Sequence, residues 1–137
     1  MSTHALIADR IEIADLFTRF ARLLDEERWE EAGTVFTGDV AVRSPRAGEL
    51  LGIDEVVAYL RQPETEGRHT QHTTTDLLVD LDGDQAAASA NSLVYYYRDG
   101  QAPYFTGGLR LTSTAVRTPA GWRLREMRIT PAWTREN

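Results

Sequence analysis

Cysteine is missing from the 137 residues, which excludes a disulfide framework, a thiolate zinc site and a cysteine nucleophile. Lysine is missing too, so all 15 basic residues are arginine. A Schiff-base mechanism and a Walker-type phosphate loop both need a lysine amine and are closed to this chain. No G-x-S-x-G and no G-x-G-x-x-G occurs, so neither a serine-hydrolase elbow nor a dinucleotide fold is supported. No apolar run approaches the ~18–20 residues of a membrane span. After Met1 come Ser2, Thr3, His4 and Ala5, then Asp9 and Arg10. That stretch has neither a basic nor an apolar signal region, so the cytoplasm is the expected compartment. Basic residues are outnumbered 15 to 21 by acidic ones, which is not the electrostatic footprint of a nucleic-acid binder. Asp80-Leu81-Asp82-Gly83-Asp84 has the acids of a calcium loop. Its glycine falls at the fourth place, however, and Asn91 stands where the final glutamate belongs, so a hairpin turn is the better reading and no metal is expected.

What is present is ordinary globular composition, 42% hydrophobic and 26% charged, at a length that suits one domain over residues 1–137. Ile7, Ile11, Ala14, Phe17, Ala21 and Leu24 recur at helical spacing and predict an amphipathic helix packed on that stripe. Trp29 to Phe36 predicts a short second helix, and Val40-Ala41-Val42 a short strand stopped near Pro45. Gly52-Ile53-Asp54 opens a third helix, with Val56, Val57, Tyr59 and Leu60 as its face and Pro63 at its end. The period then changes to two. Strands are expected over His72–Leu81, Ala86–Arg98, Tyr104–Arg117 and Trp122–Thr130, joined by turns at Asp82-Gly83, Asp99-Gly100 and Pro119-Ala120-Gly121. In the last strand the apolar phase slips between Leu124 and Met127, the mark of a bulge near Glu126. Helices segregated from an antiparallel meander make the fold class α+β.

Arg19-Phe20-Ala21-Arg22-Leu23-Leu24-Asp25 with Trp29 and Phe36 resembles the opening of NTF2-like, SnoaL-like domains. Gly52-Ile53-Asp54, Thr70-Gln71-His72, Val79 to Asp84, Gly107-Gly108 and Gly121-Trp122-Arg123 fit the same pattern, in order and over nearly the whole chain. The resemblance implies a cone: three N-terminal helices packed in a strongly curved, mostly antiparallel sheet around a cavity. It also implies a homodimer paired through the outer sheet face, where the strand around Tyr95 to Tyr97 could supply the contact. The superfamily hosts several activities, so it fixes no reaction.

Asp25 falls near the end of the first helix beside Glu26 and Glu27. The helix dipole is negative there, so a carboxylate at that place is either a solvated acid or one kept for chemistry. The resemblance favours the second. In scytalone-dehydratase-like members an aspartate at the matching position orients a histidine on the first long strand, here His72. An imidazole held by a carboxylate has a fixed tautomer, which suits removal of a proton next to a carbonyl. His69, three residues earlier, reads as a loop residue; were it on the same strand, it would point to the opposite face.

The pattern also departs from those relatives. Their tyrosine before the aspartate is Leu24 here, their second tyrosine falls at Arg43 or Ser44, and their second histidine near Tyr96 or Tyr97. Phe20 and Ser44 replace the tyrosine and the base of the ketosteroid-isomerase pattern, and Thr112 breaks the acid–arginine–acid set of limonene-epoxide-hydrolase-like enzymes. Asp25 and His72 are thus the candidate catalytic residues. Phe20, Leu24, Asn91, Tyr95, Tyr97 and Arg110 are the candidate substrate contacts. Asn91, Tyr95 and Tyr97 share one strand face and could hydrogen-bond an oxyanion, whereas Arg110 could clamp a carboxylate. The expectation is a cofactor-independent lyase or isomerase, dehydratase-like, acting on a hydrophobic oxygenated small molecule. Alternatives are a polyketide cyclase, an epoxide hydrolase, or a non-catalytic small-molecule-binding or partner subunit.

Overall fold

The computed structural model describes residues 2–62 and 67–136. Helix α1 (Thr3–Asp25) is capped by Ser2, whose hydroxyl accepts the Ala5 N–H at 3.1 Å. Its buried stripe is Asp9, Ile13, Leu16, Phe17, Phe20 and Leu23, not the stripe through Ile7 and Ile11, which are 49% and 61% exposed. Two apolar rows overlap at Phe17, and a carboxylate in the row that goes inside disguises it. Asp9 is tolerated there because Arg117 and the Trp122 indole satisfy it.

The helix ends in a reversal that aims its last residue. Glu26 N–H donates to the Arg22 carbonyl at 2.8 Å and Arg28 N–H to that of Leu23 at 3.0 Å. Glu27 takes the left-handed conformation between them, at φ 53. This is the Schellman arrangement with glutamate where glycine is usual. Trp29–Thr34 follows as a 3-10 turn.

Strand β1 (Phe36–Ser44) is longer than its Val40–Val42 centre, and it forms an unforeseen hairpin with β2 (Gly48–Leu51). The break at Pro45 is therefore a turn, closed by Ser44 Oγ accepting the Ala47 N–H at 3.1 Å. Gly52, at φ 90, leads into α2 (Ile53–Leu60). Pro63, expected to end that helix, lies outside the described residues. The meander follows as β3 (Arg68–Asp82), β4 (Gln85–Arg98), β5 (Phe105–Thr118) and β6 (Gly121–Glu136).

One six-stranded sheet results, in the order β2-β1-β6-β5-β4-β3. Neighbours are antiparallel except β1 beside β6, which is parallel. Extra residues bend it. Thr114 pairs with Glu126 but Ala115 with Leu124, so Arg125 is a bulge where the phase slip placed one. A second at Ala132 lets β6 run past Pro131, and a third in β3 puts Asp76 at φ 55. Along β4 the concave side carries Ala86, Ala88 and Ala90, which belong to the buried core. Against them pack Ile13, Phe17 and Phe20, with Leu111, Trp122, Leu124 and Met127 completing the core. The result is an α+β cone of the NTF2-like type.

Candidate active site

Asp25 is the last residue of α1, and the Schellman turn directs it across the open end of the cone onto β3. β3 is an edge strand, with outward N–H groups that need a partner. The His72 N–H finds one in Asp25 Oδ2 at 2.8 Å. His72 Nδ1 lies 2.6 Å from Asp25 Oδ1, and the Thr70 hydroxyl donates to that same oxygen at 3.0 Å. Thr70 and His72 are two apart on a strand, so both side chains face inward. With Nδ1–H donated to a carboxylate, a neutral imidazole carries its lone pair on Nε2. The pair is sheltered: the His72 and Asp25 side chains are 12% and 19% exposed.

His72 stands between two spaces. A hollow of about 390 Å³ opens toward solvent, walled by Leu24, Trp29, Tyr59, Val94, Tyr96 and Phe105. An inner annex of about 40 Å³ lies under Phe20, Ala21, Thr74, Ser92 and Leu111. Leu24, His72, Leu109 and Ile129 border both and form the neck. A separate depression of about 270 Å³ on the outer side of α1, between Asp15, Arg19 and Arg28, holds none of the candidate residues. Among the described residues, no group of three or more histidines and acids is placed to hold a metal ion. Likewise, no helix is long and apolar enough to cross a membrane.

Of the expected site residues, the structure brings Asp25, His72, Phe20 and Leu24 to this one space. Asn91, Tyr95, Tyr97 and Arg110 are not part of it. They share the convex face, the one that the resemblance assigns to pairing between copies. Asn91 Nδ2 donates to Asp76 Oδ2 at 3.1 Å, and the Tyr97 ring lies 5.3 Å from that of His69. Arg110, paired with Asn91 in register, is exposed. The expected shared face was right, but it is the outside. Ala86, Ala88, Ala90, Ser92 and Val94, all buried, are the inward series, and Tyr96 continues it into the hollow. That alternating run of small, apolar residues, whose phase Tyr96 shares, was the available signal for Tyr96. His69 is on β3 rather than in a loop, and its Nε2 meets Asp99 Oδ1 at 2.5 Å.

A curved sheet wrapped on a long helix, with a carboxylate–imidazole pair at the neck of its hollow, is the NTF2-like cone. The chain belongs to the SnoaL-like domain family, whose pattern matches residues 5–128. An uncharacterized protein of Mycobacterium tuberculosis is 30% identical over 128 residues, spanning 90% of this chain and 86% of that one. A solved protein of Novosphingobium aromaticivorans, provisionally named a scytalone dehydratase, has a TM-score of 0.87 at 18% identity and covers 99% of this chain and 92% of that one. A hexachlorocyclohexane dehydrochlorinase of Novosphingobium barchaimii gives 0.87 at 14% identity, covering 99% and 94%. At those identities the two structures establish a common fold.

Proposed function

We propose that this chain is a cofactor-independent lyase or isomerase, dehydratase-like, acting on a hydrophobic oxygenated small molecule. The observation that carries this is His72 Nδ1 held 2.6 Å from Asp25 Oδ1 at the neck between hollow and annex. Nε2 is then the basic atom on the ring edge that faces bound substrate. It takes a proton from the carbon beside a carbonyl, and the Asp25 carboxylate balances the imidazolium that forms. In a dehydration the same proton passes to the departing hydroxyl, water leaves, and the pair returns to its starting state. In an isomerisation the proton goes back to a different carbon. Tyr96, the β4 phenol on the hollow, is the donor for the oxyanion. The apolar walls keep bulk water from competing for the proton. Both solved relatives named above carry the names of elimination enzymes, one losing water and one hydrogen chloride, which supports elimination over simple binding.

The test is a panel of hydrophobic β-hydroxy ketones incubated with the protein in deuterium oxide and followed by NMR for dehydration or label uptake. His72→Ala and Asp25→Asn are each expected to lower the rate at least ~100-fold with the circular dichroism spectrum unchanged. Binding without turnover in the wild type, or full activity in both variants, defeats the proposal.

A further inference from the structure

The rim of the hollow is unlike its walls. Arg68 at the start of β3 faces the same side as Thr70 and His72, and its guanidinium carbon lies 4.6 Å from the centre of the Tyr96 ring. Tyr96 in turn meets Phe105 edge-to-face at 5.4 Å. Directly opposite Arg68 in the register stands Arg98, lying over Tyr104 at 5.3 Å. Opposed residues of an antiparallel pair share a face, and like charges placed so repel. The arginine–carboxylate pairs among the described residues use Arg22, Arg28, Arg43 and Arg117, so within that set neither rim arginine is neutralised by an acid. Arg46 lines the same hollow. Its described lining holds two carboxylates: Glu27, and Asp25, already engaged by three donors. Among the described residues the lining is thus balanced, two arginines against two carboxylates, but Arg68, with Arg98 beside it, has no acid partner at the entrance to an apolar space.

We propose that the rim recognises the anionic group of an aromatic substrate, a carboxylate, sulfonate or phenolate, with Arg68 as the specificity-determining residue. The contact with the ring positions the Arg68 guanidinium, and among the described residues no hydrogen bond takes up its N–H groups, which can meet an oxyanion with two parallel hydrogen bonds. The substrate ring packs along Tyr96 and Phe105. An anion bound there also relieves the repulsion between Arg68 and Arg98. Arg68 and His72 are four residues apart on one strand, roughly 13 Å, so the ligand is long enough to place its anion at the rim and its reacting carbon at the neck. This inference rests on the reading of the hollow as the substrate site, but it does not depend on what His72 does there.

Two fluorescent probes that differ by one charge test it on the full chain: anilinonaphthalene sulfonate and its neutral counterpart N-phenylnaphthylamine. Arg68→Gln is expected to weaken the anionic probe about 10-fold, the value of one charge-assisted hydrogen bond, and to change the neutral probe by less than about 2-fold. Arg68→Lys keeps the charge but loses the planar pair of donors, and is expected to retain only part of the anionic affinity, between that of the wild type and that of Arg68→Gln. The two probes should displace one another, as ligands of one site do, and the Arg68→Gln effect ties that site to the hollow. Equal weakening of both probes by Arg68→Gln, no weakening of either, or failure to compete overturns the proposal and leaves the His72 reading intact. Failure of the wild type to bind either probe removes the hollow as a ligand site and both readings with it.

Discussion

Asp25 Oδ1 accepts two donors, the Thr70 hydroxyl and His72 Nδ1, while Oδ2 holds the His72 backbone. Thr70 lines the hollow, and its hydroxyl is spent on fixing the carboxylate that fixes the imidazole. Under the proposed reaction, Thr70→Val removes one hydrogen bond to a charged acceptor and is expected to lower kcat about 10-fold with KM nearly unchanged. Thr70→Ser should restore the rate, which a loss of packing alone would not predict. Steady-state kinetics on the three proteins check this. Asp25 and His72 could be paired only through the resemblance, which matches a helix-end aspartate to a histidine on the first long strand; pattern alone left Asp25 either a solvated acid or a reactive one. Thr70 could not be assigned its part, since nothing in the spacing says which edge-strand hydroxyl a helix-end carboxylate will meet. Tyr96 was obscured by parity. Both faces of β4 read as plausible strand faces, and the tyrosines on the outside outnumber the one on the inside.

At the scale of the element, α1 shows how periodicity can be right in type and wrong in phase. Its apolar rows overlap, and the choice between them turns on whether Asp9 can be buried, a question answered by residues more than a hundred positions away. The choice is measurable. Ile13, with no exposed surface, should cost about 3 kcal/mol when cut to alanine, whereas Ile11→Ala should stay within about 0.5 kcal/mol; denaturant titration of both variants decides. The Schellman turn gives a second prediction. Glu27 at φ 53 pays a steric penalty that glycine avoids, so Glu27→Gly should raise stability by about 0.5–1 kcal/mol, seen as a higher melting temperature. Such a turn leaves little trace in a sequence that lacks the glycine. The bulge at Arg125 was legible because a bulge shifts the apolar phase, as Leu124 and Met127 show. β2 was not, because Gly48-Glu49-Leu50-Leu51 has neither alternation nor β-branched residues to announce a strand.

For the whole molecule, the cone has a locked end and an open one. At the locked end Arg117 of β5 donates to Asp9 of α1 at 3.0 and 2.8 Å and to Asp84 at 2.9 Å. The Trp122 indole N–H reaches Asp9 at 3.0 Å, and the Trp122 backbone N–H donates to Glu12 at 2.5 Å. These bonds tie the first helix to the last hairpin, leaving the other end free to carry the hollow. The Arg117 hydrogen bonds, then that of Trp122, hold the Asp9 carboxyl below its ordinary value of 3.8 against the opposing effect of burial. The same contact raises the affinity of Arg117 for its proton. A carboxylate whose folded pKa is depressed stabilises the fold fully above its unfolded pKa, and that contribution disappears as pH falls through the lower, folded value. Asp9→Asn keeps the shape and removes the charge at every pH. It should melt below the wild type near neutral pH, and the gap should close in acid below the folded Asp9 pKa, where the wild-type side chain is itself neutral. Melting curves of both proteins from about pH 6 to about pH 2 measure the gap. A difference that stays constant across that range would mean that the lock works by shape and hydrogen bonding alone, with the carboxylate charge contributing nothing to the hold of α1 on the sheet.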